Sequence, residues 1–368
     1  MKFIGKALLS LLIFLAFLAV LTGMVRHLHK PFGRPPQADA YTHLPHYREG
    51  KFQNPVETPM LKVTESWPVM KRYLSRDVEK APAPSYHFRE QMLSGGDTSL
   101  LQLNWLGHAA VLIRKGDSYL LTDPVLTERA SPFAFAGPKR YFSSPIAPAD
   151  LPPIDAVIIS HDHYDHLDYG TIIAIHQKVK QFIVPLGVGA TLRYWGVPAE
   201  KISELDWWQP FELREFRITA APARHFSGRF LSQNNTFWAS YGIEFGGQKI
   251  YFGGDSGYFG GYEEIGEKLG PFDVSLMPIG AYDVAWANIH LNPQEAVQAH
   301  LEVQGGLFFP THWGTFDLAL HSWYEPMELL LQEADRAGIS LLTPAPGQWI
   351  SPASRTDPQW WAAHRARN

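Results

Sequence analysis

Apolar and polar residues change rhythm several times along the chain, and each change marks an element. From Ala7 to Met24 nearly every residue is apolar, with Lys2 and Lys6 before the run and Arg26, Lys30 and Arg34 after it. A run of that length can just cross a bilayer as a helix. It predicts an N-terminal membrane anchor within residues 1–30. A cleaved signal peptide is the alternative, although no A-x-A site ends the run. Basic residues flank both ends, so they do not decide orientation. Residues 31–95 are rich in proline and histidine, carry no long periodic segment, and read as a linker and extended lead-in.

Beyond residue 96 the pattern is that of a folded domain, predicted over 96–352 with a short tail at 353–368. Leu101 to Asn104, His108 to Arg114 and Tyr119 to Thr122 alternate around a Lys115–Ser118 turn, a β-meander signal that ends in Asp123-Pro124. Residues 128–153 form a long aromatic and proline-rich loop, read as a functional lid. The run Ile154–Ile159, apolar but for Asp155, predicts a buried strand, followed by helical spacing from Leu167 to about Lys178. Further strands are predicted at Gln181–Pro185, within Glu212–Pro222, at Tyr241–Phe245 and Lys249–Gly253 across Gly246-Gly247, and at Val274–Pro278 and Leu307–Pro310. Helices are predicted near 188–195, from Asn292-Pro293 to about Val303, and from Glu325 to Ala337 before Gly338. Ser340–Thr343 and Gln348–Ile350 close the pattern. A meander followed by alternating strands and helices, twice over, predicts an α/β sandwich: two sheets covered by helices.

Composition narrows the function. Among 368 residues, 45% hydrophobic and 18% charged describe a sizeable core, and a net charge of −4 argues against nucleic acid as a partner. There is no cysteine, so any metal must rest on histidine and carboxylate, and 16 histidines are available. The same absence favours an exported domain, which would place an anchored protein on the periplasmic side of a bacterial inner membrane.

The chemistry concentrates in Ser160-His161-Asp162-His163-Tyr164-Asp165-His166-Leu167-Asp168-Tyr169, which contains H-x-H-x-D-H at the junction of a strand and a helix. Imidazole and carboxylate are the usual zinc ligands. Four such groups at a strand end are costly to desolvate without a cation. In this reading His161 and His163 leave the strand while Asp165 and His166 open the helix, so one loop feeds two ions. Three more candidates sit where a predicted strand has just ended: His225, Asp255 within Gly253-Gly254-Asp255-Ser256-Gly257, and His312. The set His161, His163, Asp165, His166, His225, Asp255 and His312 gives seven ligands for two zinc ions. His161, His163 and His225 are assigned to one ion and Asp165, His166 and His312 to the other. Asp255 bridges, because a carboxylate offers two oxygens. Asp123 is the expected carboxylate behind a metal-bound histidine. His27, His29, His43, His46, His87, His176, His300, His321 and His364 read as surface or packed residues. His290 lies between a strand and the helix capped by Asn292, and its residue chemistry leaves substrate contact and surface position open.

With Trp105-Leu106-Gly107-His108-Ala109, Gly137-Pro138-Lys139-Arg140, Glu204-Leu205-Asp206-Trp207-Trp208, Gly254-Asp255-Ser256-Gly257-Tyr258, Pro278-Ile279-Gly280-Ala281-Tyr282 and His312-Trp313-Gly314-Thr315-Phe316, the chain resembles a known family. It is similar to the N-acylphosphatidylethanolamine-hydrolysing phospholipase D enzymes of the metallo-β-lactamase fold, from about Gly50 to Gly347. The resemblance implies an αββα sandwich, two zinc ions on the seven matching residues, a homodimer, and substrate contact by His290 and Tyr282. The implied reaction converts a membrane phospholipid, N-acyl phosphatidylethanolamine, to phosphatidic acid and an N-acylethanolamine through a dizinc-bound hydroxide. Asp165, Asp255 and His290 are then the catalytic candidates, and the 128–153 loop is expected to line an acyl groove. The apolar N-terminus and the neighbours of His225 depart from the animal pattern. The alternatives are another dinuclear-zinc hydrolase such as a lactonase or soluble phosphodiesterase, a flavin–diiron oxidoreductase, and a membrane-tethered binding protein without catalysis.

Overall fold

The computed structural model describes residues 12–15, 23–25, 28–60, 63–83 and 97–365. Two seven-stranded mixed sheets carry the domain. The first contains β1 (Gln102–Gly107), β2 (Ala110–Lys115), β3 (Ser118–Thr122), β4 (Ile154–Ile158), β5 (Val179–Pro185) and β6 (Ile202–Leu205). The second contains β7 (Pro210–Leu213), β8 (Phe216–Ala221), β9 (Ser240–Phe245), β10 (Gln248–Phe252), β11 (Phe272–Pro278), β12 (Gly305–Thr311) and β13 (Ser340–Leu341). The last strand, β14 (Trp349–Ile350), returns to pair with β1, so the orders are β14-β1-β2-β3-β4-β5-β6 and β13-β12-β11-β10-β9-β8-β7. One apolar cluster takes Trp105, Val111, Ala156 and Ile158 from the first sheet and Ile218, Tyr241, Phe252 and Leu276 from the second. The opposite face of the first sheet buries Val157, Ile159 and Val184 under α2 (Tyr169–Ile175) and α3 (Val188–Tyr194). Helices α4 (Gly261–Leu269), α5 (Pro293–Glu302) and α6 (Glu325–Ala337) pack on the second sheet through Ile265, Ala296 and Leu330. Helix, sheet, sheet, helix is the layering expected from the sequence.

Local chemistry explains the boundaries. Asn292 caps α5 with a full capping box to Glu295, and Gly338 ends α6 at φ 69°, the left-handed region open to glycine. Asp168 caps α2 by accepting the N–H groups of Gly170 and Thr171. The helix therefore begins at Tyr169, and Asp165 and His166 stand in the turn before it rather than in its first turn.

Strand register gathers the chemistry at one edge. β3 and β4 run parallel with Thr122 beside Ile158, so Asp123 and Ser160 emerge together. β10, β11 and β12 are parallel with Phe252 beside Leu276 and Pro278 beside Thr311, so the segments carrying Asp255, Ile289-His290 and His312 follow from one side. The two sheets are tied at this edge by Ala239 N–H to Ser160 O at 3.0 Å and by the Tyr241 hydroxyl to Ile159 O at 2.9 Å. Backbone approaches closely here. A Cβ on Gly254 would sit 2.5 Å from Ser160 Cβ, and one on Gly280 would sit 2.1 Å from His312 O. These glycines leave room for neighbouring site segments.

Two expectations change, and a third lies mostly outside the described residues. Among the described residues no helix is long and apolar enough to cross a membrane, and the predicted anchor Ala7–Met24 falls mostly outside them. The lead-in is not a bare linker: Tyr41, Tyr47 and Phe52 are buried against Phe237 and Trp238, and α1 (Val63–Ser75) follows. Pro68 and the short apolar spacing hid that helix. The 128–153 loop works as a clamp, because the buried Arg140 guanidinium donates to the carbonyls of Val125 at 2.5 Å, Leu106 at 2.6 Å and Phe142 at 3.3 Å. Arg140→Ala would strand these buried carbonyls at a cost on the order of 3 kcal/mol. Thermal unfolding of the metal-loaded variant should show a clear drop in Tm, with partial recovery in Arg140→Lys. An unchanged Tm would remove the clamp.

Candidate functional site

The loop between β4 and α2 is held from below and from the side. Asp123 accepts Ser160 N–H at 2.7 Å and the Ser160 hydroxyl at 2.5 Å, and its other contact is His166 Nδ1 at 2.6 Å. Arg229, buried in the 228–233 hairpin, donates to Asp162 O at 2.7 Å and Leu167 O at 2.8 Å. Asp162 returns the contact by accepting Gly228 N–H at 2.7 Å. Both ends of H-x-H-x-D-H are thereby fixed.

Two sets of donor atoms result. His161 Nε2 lies 2.7 Å from His163 Nδ1, which lies 3.3 Å from His225 Nε2. Asp165 Oδ2 lies 3.5 Å from both His166 Nε2 and His312 Nε2. Asp255 Oδ2 stands between the sets, 3.1 Å from His166 and His312 and 3.8 Å from His225. Each set meets within 4.8 Å, a spacing that a single cation can share. The structure thus brings together all seven residues singled out in the sequence. His290 joins them, with Nδ1 3.8 Å from Asp255 Oδ2.

The remaining ring atoms are also oriented. His225 Nδ1 faces Ile289 O at 2.9 Å, and His161 Nδ1 faces the Ser160 hydroxyl at 2.9 Å. Fixing one imidazole nitrogen this way aims the other, as metal sites require. By contrast His166 Nε2, His312 Nε2 and Asp255 Oδ1 are buried without a hydrogen-bond partner. Such atoms normally find one, and a cation at this point satisfies them. The donor set fits metal ions.

Charge supports the same fit. Burial acts to depress His166, but Asp255, Asp165 and Asp123 outweigh it and hold its pKa well above the ordinary value. His312 is likewise opposed by burial and raised to about 9 by Asp255 and Asp165. His161 and His225 are pushed well down, chiefly by burial and then by neighbouring histidines, against the pull of Asp255. Burial works to raise Asp255, yet His166 and His312 keep it well below the usual carboxylate range. The carboxylates demand positive charge, and protons supply it where no metal does.

Several contributors carried no readable sequence signal. His108 Nε2 lies 3.0 Å from Asp165 Oδ2, with its ring 3.9 Å from that of His312, and burial drives its pKa down to about 3. As neutral imidazole it donates to the carboxylate and orients it. His108, Asp123 and His312 take φ of 56°, 31° and 61°, a conformation disfavoured without a Gly and held here by neighbouring segments. Asn54, from the lead-in, exchanges two hydrogen bonds with the His225 backbone at 2.7 and 2.9 Å. Only the position of His108 beside a strand end offered a hint.

A cavity of about 410 Å³ opens over the cluster. Its floor is His163, Asp165, Asp255, His290 and His312, and its walls are apolar: Met60, Phe226, Trp286, Ile289 and Leu318 among them. No residue of the 128–153 loop lines it, so the expected acyl-lining role of that loop is not met. Tyr282 is not among the lining residues either. Its hydroxyl is 2.9 Å from Glu325 and its ring stacks on His321. Of the histidines set aside, His300 is buried against the Ser275 hydroxyl at 2.6 Å and His46 stacks on Phe237 beside Asp206, while His27 and His87 lie outside the described residues.

With chelated metal, protons on His166 and His312 balance the carboxylates. His312 has a raised pKa, so its contribution is fully present below about pH 6.5 and is lost as pH rises through about 9. Asp165 and Asp255 stay ionised across that window and do not oppose the trend. The Tm of chelated protein should therefore fall by several degrees over this window, while that of metal-loaded protein stays nearly level. A flat profile for both would contradict the charge balance.

Comparison with known proteins agrees with this geometry. The model of the beta-lactamase superfamily domain matches residues 118–313, which run from β3 through His312. An uncharacterized protein of Mycobacterium tuberculosis is 43% identical over 325 residues, covering 86% of this chain and 87% of its own. N-acyl-phosphatidylethanolamine-hydrolyzing phospholipase D 1 of Caenorhabditis elegans is 38% identical over 246 residues, covering 63% of this chain and 69% of its own. The crystal structure of isothiocyanate hydrolase from Delia radicum gut bacteria aligns with a TM-score of 0.53 at 19% identity, over 68% of this chain and 98% of its own, which is a likeness of fold. The chain belongs to the beta-lactamase superfamily domain family and is a metal-dependent hydrolase of the metallo-β-lactamase fold.

Proposed function

We propose that the chain is a dizinc phosphodiesterase of phospholipase D type, cleaving N-acyl phosphatidylethanolamine to phosphatidic acid and an N-acylethanolamine. The observation that carries this reading is the cavity, with a histidine and carboxylate floor under apolar walls. An amphiphile with a phosphodiester beside acyl chains matches that division of polarity. The Caenorhabditis elegans relative, named for this reaction, supports the substrate class.

His161, His163 and His225 would hold one zinc, Asp165, His166 and His312 the other, and Asp255 would serve both. When bound, the two ions supply Lewis-acid charge to the phosphoryl oxygens and lower the pKa of water. Around them the chain's own groups divide the work. Asp255, kept ionised by His166 and His312, joins the two histidine sets and is the acceptor placed for the proton that water releases as it attacks phosphorus. Asp165 is oriented by His108. His290, held neutral by burial with a pKa of about 4, has an unpartnered Nδ1 in the cavity floor. It can donate to the phosphate or to the departing ethanolamine oxygen. The apolar walls keep bulk water from the acyl chains.

Zinc-loaded protein given a panel of dispersed lipid classes should release N-acylethanolamine and phosphatidic acid in equal amounts. Turnover of water-soluble esters with none of the lipid would favour a lactonase-like hydrolase of the same fold. His290 provides a sharper test. His290→Ala should retain zinc and lose roughly 10²–10⁴ in kcat on the lipid, the range for one orienting or proton-transferring side chain. Bis(nitrophenyl) phosphate has a leaving group that needs no such help, so its hydrolysis should suffer far less. Equal loss on both substrates with zinc released would make His290 a ligand.

A further inference from the structure

Helix α1 is built with its polarity reversed. Tyr73, and Arg76 just past the helix end, face the protein and both engage Asp317, the tyrosine hydroxyl at 3.0 Å from Oδ2. Arg72 reaches sideways to Asp283 with two hydrogen bonds of 3.2 and 2.9 Å. The outward face carries Trp67, Met70 and Leu74, spaced three and four apart as one helical stripe, at 72%, 50% and 68% exposure. A helix at a water interface places its apolar stripe inward. This one spends its polar groups on docking and turns its apolar stripe out.

The contacts of α1 fix where that stripe lies. Asp317 precedes Leu318, and Asp283 precedes the turn containing Trp286, and both Leu318 and Trp286 line the catalytic cavity. Pro59 and Met60, also lining it, lie just before α1 in the chain. The other prominent apolar side chains nearby belong to the same rim. Val284 is 85% exposed beside Asp283, and Leu231 is 78% exposed in the hairpin that supplies Gln233 to the cavity. Lys71 is exposed on the outward side of α1, within one turn of Trp67 and Leu74. An apolar stripe edged by a lysine suits the boundary between acyl chains and anionic phosphates.

We propose that α1, with Val284 and Leu231, forms a docking face for a phospholipid bilayer, seating the cavity mouth against the membrane from which the substrate is drawn. This rests on the phospholipid reading of the site for its purpose, but the contact itself does not require turnover. The occupant is assigned as a lipid surface because each exposed apolar group adjoins a residue lining the substrate cavity: Met60 before α1, Trp286 after Val284 and Gln233 after Leu231.

The chain has no cysteine, so single cysteines can be labelled without background. Leu74→Cys and, as control, Leu301→Cys on α5 would carry an environment-sensitive nitrobenzoxadiazole probe in the full-length, zinc-loaded protein. On adding vesicles of phosphatidylethanolamine and phosphatidylglycerol, the probe at position 74 should shift to the blue and brighten at least about twofold as it enters the interface, and the probe at 301 should not. An unshifted probe at 74 overturns the proposal. So does a probe at 74 already blue-shifted without vesicles in a protein of doubled mass by light scattering, which would assign the face to a second copy. In parallel, Trp67→Glu, Met70→Glu and Leu74→Glu together should lower turnover of vesicle-borne lipid by about tenfold or more, since three apolar side chains lose their burial. Hydrolysis of bis(nitrophenyl) phosphate should be unchanged, which reports an intact metal centre. If the lipid proves not to be a substrate, the probe still reads docking, so the two readings fail separately.

Discussion

Three carboxylates, Asp123, Asp165 and Asp255, are packed among histidines at one edge of the sandwich, and their need for positive charge governs the architecture around them. Burying a carboxylate without compensation costs far more than a domain can spare. Here Asp123 is answered by His166 and Ser160, Asp165 by His108, His166 and His312, and Asp255 by His166 and His312. Holding so many like groups at these distances requires rigid surroundings. Arg229 fixes the loop after β4, Arg140 fixes the strand ends near His108, and Gly254 and Gly280 let site segments pass without collision. The left-handed conformations of His108, Asp123 and His312 have the same origin, since the sheet edge dictates where each side chain must point.

The floor and the walls of the cavity come from different kinds of structure. Floor residues follow strands of the two sheets, whose register sets their positions to within the precision that metal binding needs. The walls come from the lead-in, the segment after His225, the turn after β11 and the segment after His312. The apolar side chains that a bound molecule would meet, Met60, Trp286, Ile289 and Leu318 among them, thus lie outside the two sheets.

How far the sequence could be read follows from this division. Strand β4 and its H-x-H-x-D-H loop were legible because an apolar run broken only by Asp155 and four ligand-type residues lie within one stretch. His225, Asp255 and His312 were legible through one rule, their place just past a strand. Asp123 emerged from the same rule. What escaped depends on contacts between distant segments: Asn54 on His225, Arg229 under the β4–α2 loop, and His108 on Asp165. No spacing encodes such pairs. The 128–153 loop misled because length and aromatic content suggest a lid, whereas Arg140 turns the segment inward as a clamp. Helix α1 escaped because its apolar stripe is short and Pro68 lies within it, and because the contacts that dock it, such as Tyr73 on Asp317, join distant segments.

The central claim is that seven side chains hold two metal ions, with Asp255 between them. Anomalous diffraction from zinc-loaded crystals, collected on both sides of the zinc edge, tests it most directly. Two peaks per chain are expected. One should be ringed by His161, His163 and His225, the other by Asp165, His166 and His312, with Asp255 in contact with both. A single peak, or a peak pair that leaves Asp255 or either histidine set uncoordinated, would contradict the account.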